Sequence, residues 1–363
     1  MKILYAIQGT GNGHLSRARD IIPVLKKNHK VDILISGLHA EIKLPFPIKY
    51  RFKGLGFIFG ANGGIDMIET YKKNHIKVLL SEINSLPVHK YDLVINDFEP
   101  VSAWACYLRN VYCISISHQA AILSKKAPKP KDVDIIGKAV LKNYSPSKVK
   151  YGFHFKAYDE NIFTPVIRSQ VRKQPVENNG HYTVYLPAYS DNRILKVLKD
   201  CGDVRWEVFS KHNRKKIRQE NVTIRPIDNN AFISSIASAE GVICGAGFET
   251  PAEVLFMRKK LLVIPMKGQY EQQCNAAALS EMGVPVLKSF KPSRAAIIIQ
   301  WIDKGKIVDV DYPDNTEVII NQIIANHAEM ASKEPLAKEK NYTVDKFRKH
   351  ILKKIVAQFY TEI

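Results

Sequence analysis

Residues 2–36 read KILYAIQGTGNGHLSRARDIIPVLKKNHKVDILIS, and the prediction of the fold starts from this segment. A short apolar run, Lys2–Gln8, leads into a glycine-rich turn, after which apolar residues recur at helical spacing from Leu15 to Leu25. A second apolar run, Val31–Ile35, follows. The segment therefore predicts a strand, a helix and a second strand, the unit with which a doubly wound parallel sheet begins.

The same alternation of strands and helices continues along the chain and is interrupted once. Residues 165–180 are polar and contain proline and glycine, which marks a domain boundary, and a second alternation starts at His181. We therefore predict an α/β protein with two Rossmann-like, doubly wound domains, at residues 1–165 and 166–340. For residues 341–363, a basic amphipathic pattern from Thr343 to Phe359 predicts a C-terminal helix, a candidate for packing back on the first domain.

The composition is that of a folded globular chain. Of the 363 residues, 45% are hydrophobic and 25% are charged, which excludes wholesale disorder and a coiled coil. No apolar run approaches the ~18 residues that span a bilayer, and the apolar N-terminus is too short for a signal peptide. The five cysteines are scattered and never spaced C-x-x-C, which argues against a disulfide framework or a zinc ribbon. We expect a soluble, cytoplasmic protein.

The chain has an excess of positive charge that points to an anionic partner. Its 54 Lys and Arg residues against 35 Asp and Glu residues give a net charge of +19. Anionic lipid, nucleic acid and a phosphate-bearing substrate all fit this charge, and so does a basic surface that only maintains solubility. No recognisable nucleic-acid-binding motif is present, so no nucleic acid is expected as a partner. The lysine-rich stretch from Lys125 to Lys150, beside Ala120–Leu123, fits peripheral contact with an anionic membrane, or a solvated loop.

The first glycine-rich turn is a candidate phosphate or acceptor loop. Gly11, Asn12 and Gly13 lie between a strand and a helix, where the backbone can approach an anion and the helix N-terminus favours negative charge. The second strand ends near Ser36 without the acidic residue that holds a dinucleotide ribose, and the chain lacks a G-x-x-x-x-G-K-[ST] loop. NAD and ATP are therefore disfavoured, and no cofactor or metal is expected. The alternative for these glycines is tight turn geometry alone.

Polar residues follow the predicted strands of the first domain, at the edge where open α/β sheets bind ligands. His14 ends the glycine turn, where the helix N-terminus favours its neutral form, and we predict that it is a general base. Asp97 is predicted to orient a histidine or to act as the base itself, with capping of the next helix as the alternative. Glu99, His118 and Gln119 are predicted on the acceptor side of the same cleft, or as residues of a loop.

The most informative segment is residues 241–278, GVICGAGFETPAEVLFMRKKLLVIPMKGQYEQQCNAAA. A strand reaches Gly245 and a helix begins at Thr250, so the backbone N–H groups of Gly247–Thr250 can bind a diphosphate. The alternative is structural, because Thr250 and Glu253 have the spacing of a capping box with proline at the first helical position.

The motifs G-A-G-F-E-T-P-A-E and E-Q-Q-x-N-A resemble the donor-site signature of GT-B-fold glycosyltransferases and are most similar to family 28. The N-terminal G-T-G-N-G-H-L-S-R-A resembles the first glycine loop of that family, so the resemblance covers both domains. It implies a GT-B fold, two Rossmann-like domains facing a cleft, with a nucleotide sugar, usually a UDP-sugar, as donor. The donor contacts that it implies are Ile227, Gly245, Gly247, Phe248, Glu249, Thr250, Glu253, Gln272 and Gln273.

The resemblance also assigns roles within this set. Glu253 matches the acid that binds the nucleotide ribose, and Ile227 falls where the family's backbone meets uracil. Gln272 and Gln273 match the contacts to the donor sugar, although alone they are polar residues at a helix start. His14 matches the catalytic base of related family-1 enzymes, with Asp97 near the acid that orients it.

The predicted function is an inverting, metal-independent glycosyltransferase that moves a sugar from a nucleotide donor to an acceptor hydroxyl. Cell-envelope glycan or glycolipid synthesis, with a lipid-linked acceptor, is one setting for it. A nucleotide-sugar hydrolase or 2-epimerase on the same scaffold is an alternative, because Gly13-His14-Leu15-Ser16-Arg17 also resembles certain UDP-sugar hydrolases. The non-enzymatic alternative is a basic protein that binds nucleic acid or a membrane.

Overall fold

A computed structural model describes residues 1–10, 12–37, 44–55, 73–132, 134–333 and 343 of the chain. The chain forms two compact units. The first contains Met1–Ala127, Asp132–Arg168 and the chain from Asp314 onward, and the second contains Pro128–Lys131 and Ser169–Pro313. Gly11 and, apart from Thr343, the predicted C-terminal helix lie outside the described residues.

The first unit is built on a parallel sheet of seven strands in the order β3-β2-β1-β4-β5-β6-β7. The strands are β1 (Lys2–Gln8), β2 (Lys30–Ser36), β3 (Tyr50–Phe52), β4 (Leu93–Asp97), β5 (Cys113–Ile116), β6 (Val149–Phe153) and β7 (Ile162–Phe163). The helices that accompany them are α1 (Gly13–Asn28), α2 (Lys73–Ser85), α3 (Pro100–Arg109), α4 (His118–Ile122) and α5 (Ile135–Tyr144). The strand–helix–strand unit predicted from residues 2–36 is confirmed.

The middle of this sheet is covered on both faces, as is usual for parallel strands. Residues 3–7 of β1 are each 0% exposed, and every residue of β4 is buried. The strand order reverses between β1 and β4, where Ile7 lies opposite Asp97. A reversal of this kind opens a crevice at the carboxyl ends of the two strands, where α/β sheets bind their ligands.

The second unit has a six-stranded sheet in the order β10-β11-β9-β8-β12-β13, parallel except for β10. The strands are β8 (His181–Tyr185), β9 (Arg205–Ser210), β10 (Ile217–Gln219), β11 (Val222–Pro226), β12 (Ala239–Gly245) and β13 (Lys260–Ile264). The helices are α6 (Ser169–Arg172), α7 (Asp191–Leu198), α8 (Asn229–Ser238), α9 (Glu249–Phe256), α10 (Tyr270–Glu281) and α11 (Ala295–Lys304). Here the order reverses between β8 and β12.

Aromatic side chains fill the core of the second unit. Tyr182 of β8 packs against Trp206 of β9 and Trp301 of α11, with ring centres 5.4 and 5.3 Å apart, and all three are 3% exposed or less. A Cβ atom at Gly241 of β12 would lie 2.9 Å from the Trp301 ring. The tight packing of this ring therefore requires glycine at that position.

After the second unit the chain returns to the first through α12 (Thr316–Lys333). Its isoleucines at positions 319, 320, 323 and 324 are buried, and Glu317 pairs with Lys27 of α1 at 2.6 Å. His327 lies between two tyrosine hydroxyls, with Nδ1 2.5 Å from Tyr112 and Nε2 2.6 Å from Tyr151. The boundaries predicted from the sequence are at 165 and 340, and the two compact units divide at Arg168 and Pro313, with the apolar face of α12 buried.

We expect the stability of the first unit to fall in mild acid because of His327. Burial lowers the pKa of His327 from its ordinary value of 6.5, so the unfolded chain binds the proton more readily than the folded chain. The free energy of unfolding should therefore be highest above pH 6.5 and decrease as the pH falls through that value toward the folded-state pKa. Urea unfolding at pH 7.5 and 5.0 measures this change, and His327→Gln should reduce it. If the free energy of unfolding fell equally between pH 7.5 and 5.0 in wild type and in His327→Gln, His327 would not be the source of the pH dependence.

Only part of the lysine-rich stretch from Lys125 to Lys150 is exposed enough to contact a membrane, which the sequence predicted for the whole stretch. Lys126 pairs with Asp159 at 2.9 Å, and two of the apolar residues beside the stretch, Ala121 and Ile122, are buried in α4. The side chains of Ala121 and Ile122 are therefore not on the surface, whereas Ile135 at the start of α5 is 54% exposed. Among the described residues, no helix combines the length and the apolar character needed to cross a bilayer.

Candidate active site

His14, Asp97 and Arg17 form a hydrogen-bonded group at the strand-order reversal of the first sheet. His14 Nδ1 lies 2.8 Å from Asp97 Oδ1. The Arg17 guanidinium donates to both oxygens of Asp97, at 2.8 and 2.9 Å. The side chains of Asp97 and Arg17 are 0% and 1% exposed, whereas that of His14 is 13% exposed. The imidazole is therefore the member of the group that a substrate can reach.

A tight turn after β1 brings His14 to this position. Gly9 N donates to Ser36 O at 2.6 Å, and a Cβ atom at Gly9 would lie 2.7 Å from the Ile35 side chain, so only glycine fits. Asn12 is the N-cap of α1 but makes no side-chain capping bond, and Gly13 is the first helical residue. His14 consequently lies in the first turn of the helix, as the sequence predicted.

The backbone conformation of Phe98 turns the carboxylates on either side of it, Asp97 and Glu99, toward different partners. Its φ of 57° lies in the left-handed region, a strained conformation for a bulky residue and one that is common at functional sites. Asp97 contacts His14, whereas Glu99 accepts hydrogen bonds from two backbone N–H groups of α3, at 2.7 and 2.6 Å. Glu99 is 0% exposed. The structure therefore corrects the predicted acceptor contact of Glu99 to a helix cap, the role considered for Asp97.

Asp97 and Glu99 have pKa values shifted in opposite directions, because their partners differ. Burial alone would raise the pKa of Asp97, but the charge of Arg17 and the hydrogen bonds that Arg17 and His14 donate outweigh it and hold that pKa below its ordinary value. Burial raises the pKa of Glu99, which has no such ion pair, above its ordinary value. Asp97 is thus ionised at neutral pH and poorly suited to accept a proton, so the structure favours its orienting role over a role as base.

The two residues predicted beyond β5 have different environments. Gln119 Nε2 lies 3.4 Å from His14 Nε2, a long hydrogen-bond distance, so Gln119 belongs to the site. His118 is 1% exposed, and its Nδ1 lies 2.8 Å from Phe153 O. Its ring also packs edge-on against His154, with ring centres 5.1 Å apart. A buried ring bonded to the backbone holds α4 against β6, which corrects the predicted acceptor contact of His118.

The hydrogen bonds determine which nitrogen of His14 has the proton. An ionised Asp97 can only accept a hydrogen bond, so Nδ1 of His14 must donate it. In the neutral ring Nε2 is then the unprotonated nitrogen, toward which the Gln119 amide can donate. A neutral, partly exposed imidazole of this tautomer can take a proton from a hydroxyl group, so the pair has the arrangement of a general base and its orienting acid.

Sequence reasoning assigned no role in the site to Arg17, which was noted only as part of a motif, and none to Phe98. The available signal for Arg17 was its position three residues after His14, which places both side chains on one face of α1. The Phe98 ring stacks on the His14 ring with centres 6.3 Å apart and an interplanar angle of 11°. No sequence pattern predicts a positive φ at a phenylalanine.

The second unit has an open glycine turn at its own strand-order reversal. β12 ends at Gly245, and α9 begins at Glu249 with Phe248 as its N-cap. A Cβ atom at Gly247 would meet no atom within 4 Å, and one at Gly245 would find its nearest neighbour 3.7 Å away. Protein atoms therefore leave space beside the turn, at a helix N-terminus that favours an anion.

The capping box that the sequence offered as an alternative is absent. Because α9 begins at Glu249 with Phe248 as its N-cap, Thr250 is a helical residue and not the N-cap that this capping box requires. Glu253 lies in the second turn of α9 and is 3% exposed. The predicted contact of Glu253 with a ribose stays a prediction.

The remaining donor-site candidates lie at the same edge of the second sheet. Gln272 Oε1 accepts from Met266 N at 2.9 Å, and Gln273 is half-buried in the next position of α10. Asn275 Nδ2 donates to Ala246 O at 3.1 Å, which ties α10 to the glycine turn. Ile227 is half-buried directly after the carboxyl end of β11.

Cysteine chemistry does not contribute to either group of residues. All five cysteines are buried thiols. Burial raises the pKa of Cys274 to about 11 and that of Cys201 to about 12, so neither is a thiolate at neutral pH. Across the described ranges, no three His, Cys, Asp or Glu side chains converge on a position that could hold a metal ion.

Solved structures with similar folds identify the fold of this chain. MurG from Acinetobacter baumannii matches with a TM-score of 0.52 and 14% identity, covering 92% of this chain and 100% of that chain. Phytolacca americana UGT2, complexed with UDP-2fluoro-glucose and pterostilbene, has a TM-score of 0.55 and 11% identity over 97% of this chain and 98% of its own. Arabidopsis thaliana UGT89C1 complexed with UDP has a TM-score of 0.53 and 13% identity, covering 97% of this chain and 99% of its own. The fold is that of the GT-B glycosyltransferases, as predicted.

The family follows from the sequence itself. A family model described as Glycosyl transferase family 1 matches residues 1–298, and the chain belongs to this family. A comparison with curated proteins found no match. The prediction of a GT-B glycosyltransferase is confirmed, and the protein is a transferase enzyme.

Proposed function

We propose that this protein is an inverting glycosyltransferase that moves a sugar from a nucleotide sugar, with UDP as the nucleotide, to an acceptor hydroxyl. The main support is the partly exposed His14, whose Nδ1 contacts the buried Asp97 at 2.8 Å at the reversal of the first sheet. The family supplies the class of reaction. Two similar folds that were solved with UDP or a UDP-sugar analogue support the choice of nucleotide.

The donor is proposed to bind at the carboxyl edge of the second sheet. Its diphosphate contacts the backbone N–H groups of Gly247–Thr250, where the helix N-terminus favours negative charge. Glu249 has a carboxylate in the same turn, so only its backbone contributes to this attraction. Glu253 holds the ribose, Ile227 contacts the uracil, and the two glutamines of α10 contact the sugar.

The reaction follows from these assignments as a single displacement. His14 Nε2 takes the proton of the acceptor hydroxyl while that oxygen forms its bond to the anomeric carbon. The bond from this carbon to the diphosphate oxygen breaks, and the electron pair leaves with UDP, whose charge the N-terminus of α9 stabilises. Attack from the face opposite the leaving group inverts the anomeric configuration, which NMR of the product can determine. The sequence of steps involves no metal, so a chelator should leave turnover unchanged.

Replacing Glu253 with glutamine is expected to weaken UDP binding. A carboxylate that holds the ribose hydroxyls makes charge-assisted hydrogen bonds, and their loss costs about 1–3 kcal/mol, roughly five- to 150-fold in Kd. Isothermal titration calorimetry with UDP measures the effect. The matched control is Glu240→Gln in the same unit, where the carboxylate pairs with Lys260 at 2.7 Å and should not contact the nucleotide. Equal UDP affinity in wild type and Glu253→Gln, with only stability reduced, would refute the ribose contact.

Release of UDP with and without an acceptor separates the proposed transferase from a hydrolase. A panel of UDP-sugars is incubated with the protein alone and then with hydroxyl-bearing acceptors, and both UDP and the glycosylated product are measured. A transferase should release little UDP alone and should form product with an acceptor. Full-rate UDP release in water, with no product on any acceptor, would favour the hydrolase, in which water replaces the acceptor at His14.

We also propose that the enzyme acts on a lipid-linked acceptor in cell-envelope glycan or glycolipid synthesis, at the cytoplasmic face of a membrane. The support is the net charge of +19 and the cations at positions 125–131, beside the exposed Ile135. Wild-type protein is expected to sediment with anionic vesicles at low salt and to be released as salt rises, because surface attraction decays over about 8–10 Å.

Neutralising Lys125, Lys126, Lys129 and Lys131 together is expected to weaken vesicle binding by about tenfold or more. Lys126, which is paired with Asp159, should contribute little. The matched control replaces an equal number of cations in another segment of the chain: Lys211, Arg214, Lys215 and Lys216. Loss of binding in both variants would indicate attraction to net charge alone, and wild-type protein that stays in the supernatant at low salt would refute membrane contact and favour a soluble acceptor.

A further inference from the structure

Arg17 takes no part in the chemistry described so far, although it contacts both members of the catalytic pair. It is 1% exposed, and its terminal nitrogen bonds to both Asp97 oxygens and lies 3.3 Å from His14 Nδ1. The guanidinium also lies over the Phe153 ring, 5.6 Å from the ring centre. Removing a cation from water in this way is costly, so packing alone does not explain an arginine here.

A histidine that faces a lone carboxylate gains proton affinity, because the negative charge stabilises the imidazolium. Such a histidine is protonated over more of the neutral pH range and then cannot accept a proton from a hydroxyl. In this structure the guanidinium of Arg17 shares the carboxylate. Since His14 Nδ1 already donates to Asp97, the guanidinium cannot bond to that nitrogen and acts on the ring as a positive charge.

We propose that Arg17 is a positioning residue that balances the charge of Asp97, so that Asp97 orients His14 and sets its tautomer without making the ring a stronger base. The two bonds from Arg17 hold the carboxylate with Oδ1 toward the imidazole. His14 then stays neutral, with Nε2 unprotonated, at the pH where an acceptor hydroxyl must lose its proton. This role rests on the proposed function of His14 as base, but the charge balance itself does not require catalysis.

In the described part of the chain, four elements provide groups that lie against the pair. α1 provides Arg17, β4 provides Asp97 and α4 provides the uncharged Gln119. β1 provides Tyr5, which is 0% exposed; burial and then the charge of Asp97 raise its pKa well above its ordinary value, so it is neutral. Among these groups, the positive charge opposite Asp97 is that of Arg17.

A histidine NMR titration tests the charge balance without donor or acceptor. The full chain is isotope-labelled at histidine, and the His14 signal is identified by its loss in His14→Gln. In wild type we expect the Nδ1–H tautomer and a titration midpoint no higher than that of a blocked histidine peptide in the same buffer. In Arg17→Met the midpoint should rise by about one pH unit or more, a tenfold gain in proton affinity, because the charge of Asp97 is left unbalanced.

Two further variants separate charge from geometry. Arg17→Gln keeps an amide that can bond to Asp97 but has no charge, so the midpoint should rise while the tautomer is retained. Arg109→Met is the matched control: Arg109 is 6% exposed in the same unit and donates to the backbone oxygens of Ile83 and Asn84 at 3.0 and 3.2 Å. Its loss should reduce stability but leave the His14 midpoint unchanged.

Two results would overturn the inference. One is a His14 midpoint in folded Arg17 variants that equals the wild-type value. The other is a wild-type midpoint clearly above that of the peptide. This result would overturn the inference even if the Arg17 variants do not fold. If the midpoints shift as expected but His14→Ala keeps its turnover, the charge balance stands and the proposed base role of His14 fails.

Discussion

Replacing His14 with alanine is expected to lower turnover by about 10²–10⁴-fold, the range for loss of a general base. The variant has no group at this position that can take the proton of the acceptor hydroxyl. Its affinity for UDP should equal that of wild type, because every residue proposed to hold UDP belongs to the second unit. Turnover is measured with the UDP-sugar and acceptor found active in the release assay, and affinity by calorimetry.

His29→Ala is the matched control for this variant. His29 follows the last residue of the same helix, α1, and lies at its opposite end from His14. Its replacement should leave turnover within a factor of two or so of wild type. A His14→Ala enzyme that keeps more than about a tenth of wild-type turnover would contradict the proposed mechanism and place the base elsewhere.

Replacing Asp97 with asparagine is expected to reduce both stability and turnover. Asparagine leaves the buried guanidinium of Arg17 without its carboxylate, and breaking a buried ion pair on one side costs about 3–5 kcal/mol. The amide can also donate to His14 Nδ1, which favours the tautomer with the proton on Nε2, so turnover should fall by about 10²–10⁴-fold. Urea unfolding and steady-state kinetics measure the two effects.

Asp32→Asn provides the control for Asp97→Asn. Asp32 pairs with Lys49 at 2.6 Å, but Lys49 is 45% exposed, and pairs of this kind contribute about 0–1 kcal/mol. Its replacement should have little effect on stability and none on turnover. If Asp97→Asn lost stability but kept wild-type turnover, Asp97 would be a structural residue and would not orient the base.

The order of elements could be predicted from the sequence because each parallel strand is a short apolar run between turn residues. β1 starts and ends at the predicted residues, and β2 extends one residue beyond the predicted run at each end. The strands β7 and β10 span two and three residues, too few to show a pattern. The docking of α12 depends on His327 and the hydroxyls of Tyr112 and Tyr151, which lie far apart in the sequence.

The candidate site could be predicted where a local motif determines the geometry, and not where distant residues meet. His14 follows from the glycine turn, and the donor residues follow from the spacing of the segment 241–278. Which carboxylate caps α3 and which orients the histidine depends on the φ of Phe98, which no sequence pattern reveals. The contact between Arg17 and Asp97 joins residues 80 positions apart in the chain, so it became visible only in the fold.

The most direct test of the central claim is a crystal structure of the protein soaked with UDP or a UDP-sugar. The account predicts electron density for the diphosphate at the backbone N–H groups of Gly247–Thr250. It also predicts ribose hydroxyls within hydrogen-bond distance of Glu253, and uracil beside Ile227. Nucleotide bound elsewhere in the chain, or no nucleotide at a concentration that saturates the protein in solution, would contradict the proposed donor site and with it the proposed transfer reaction.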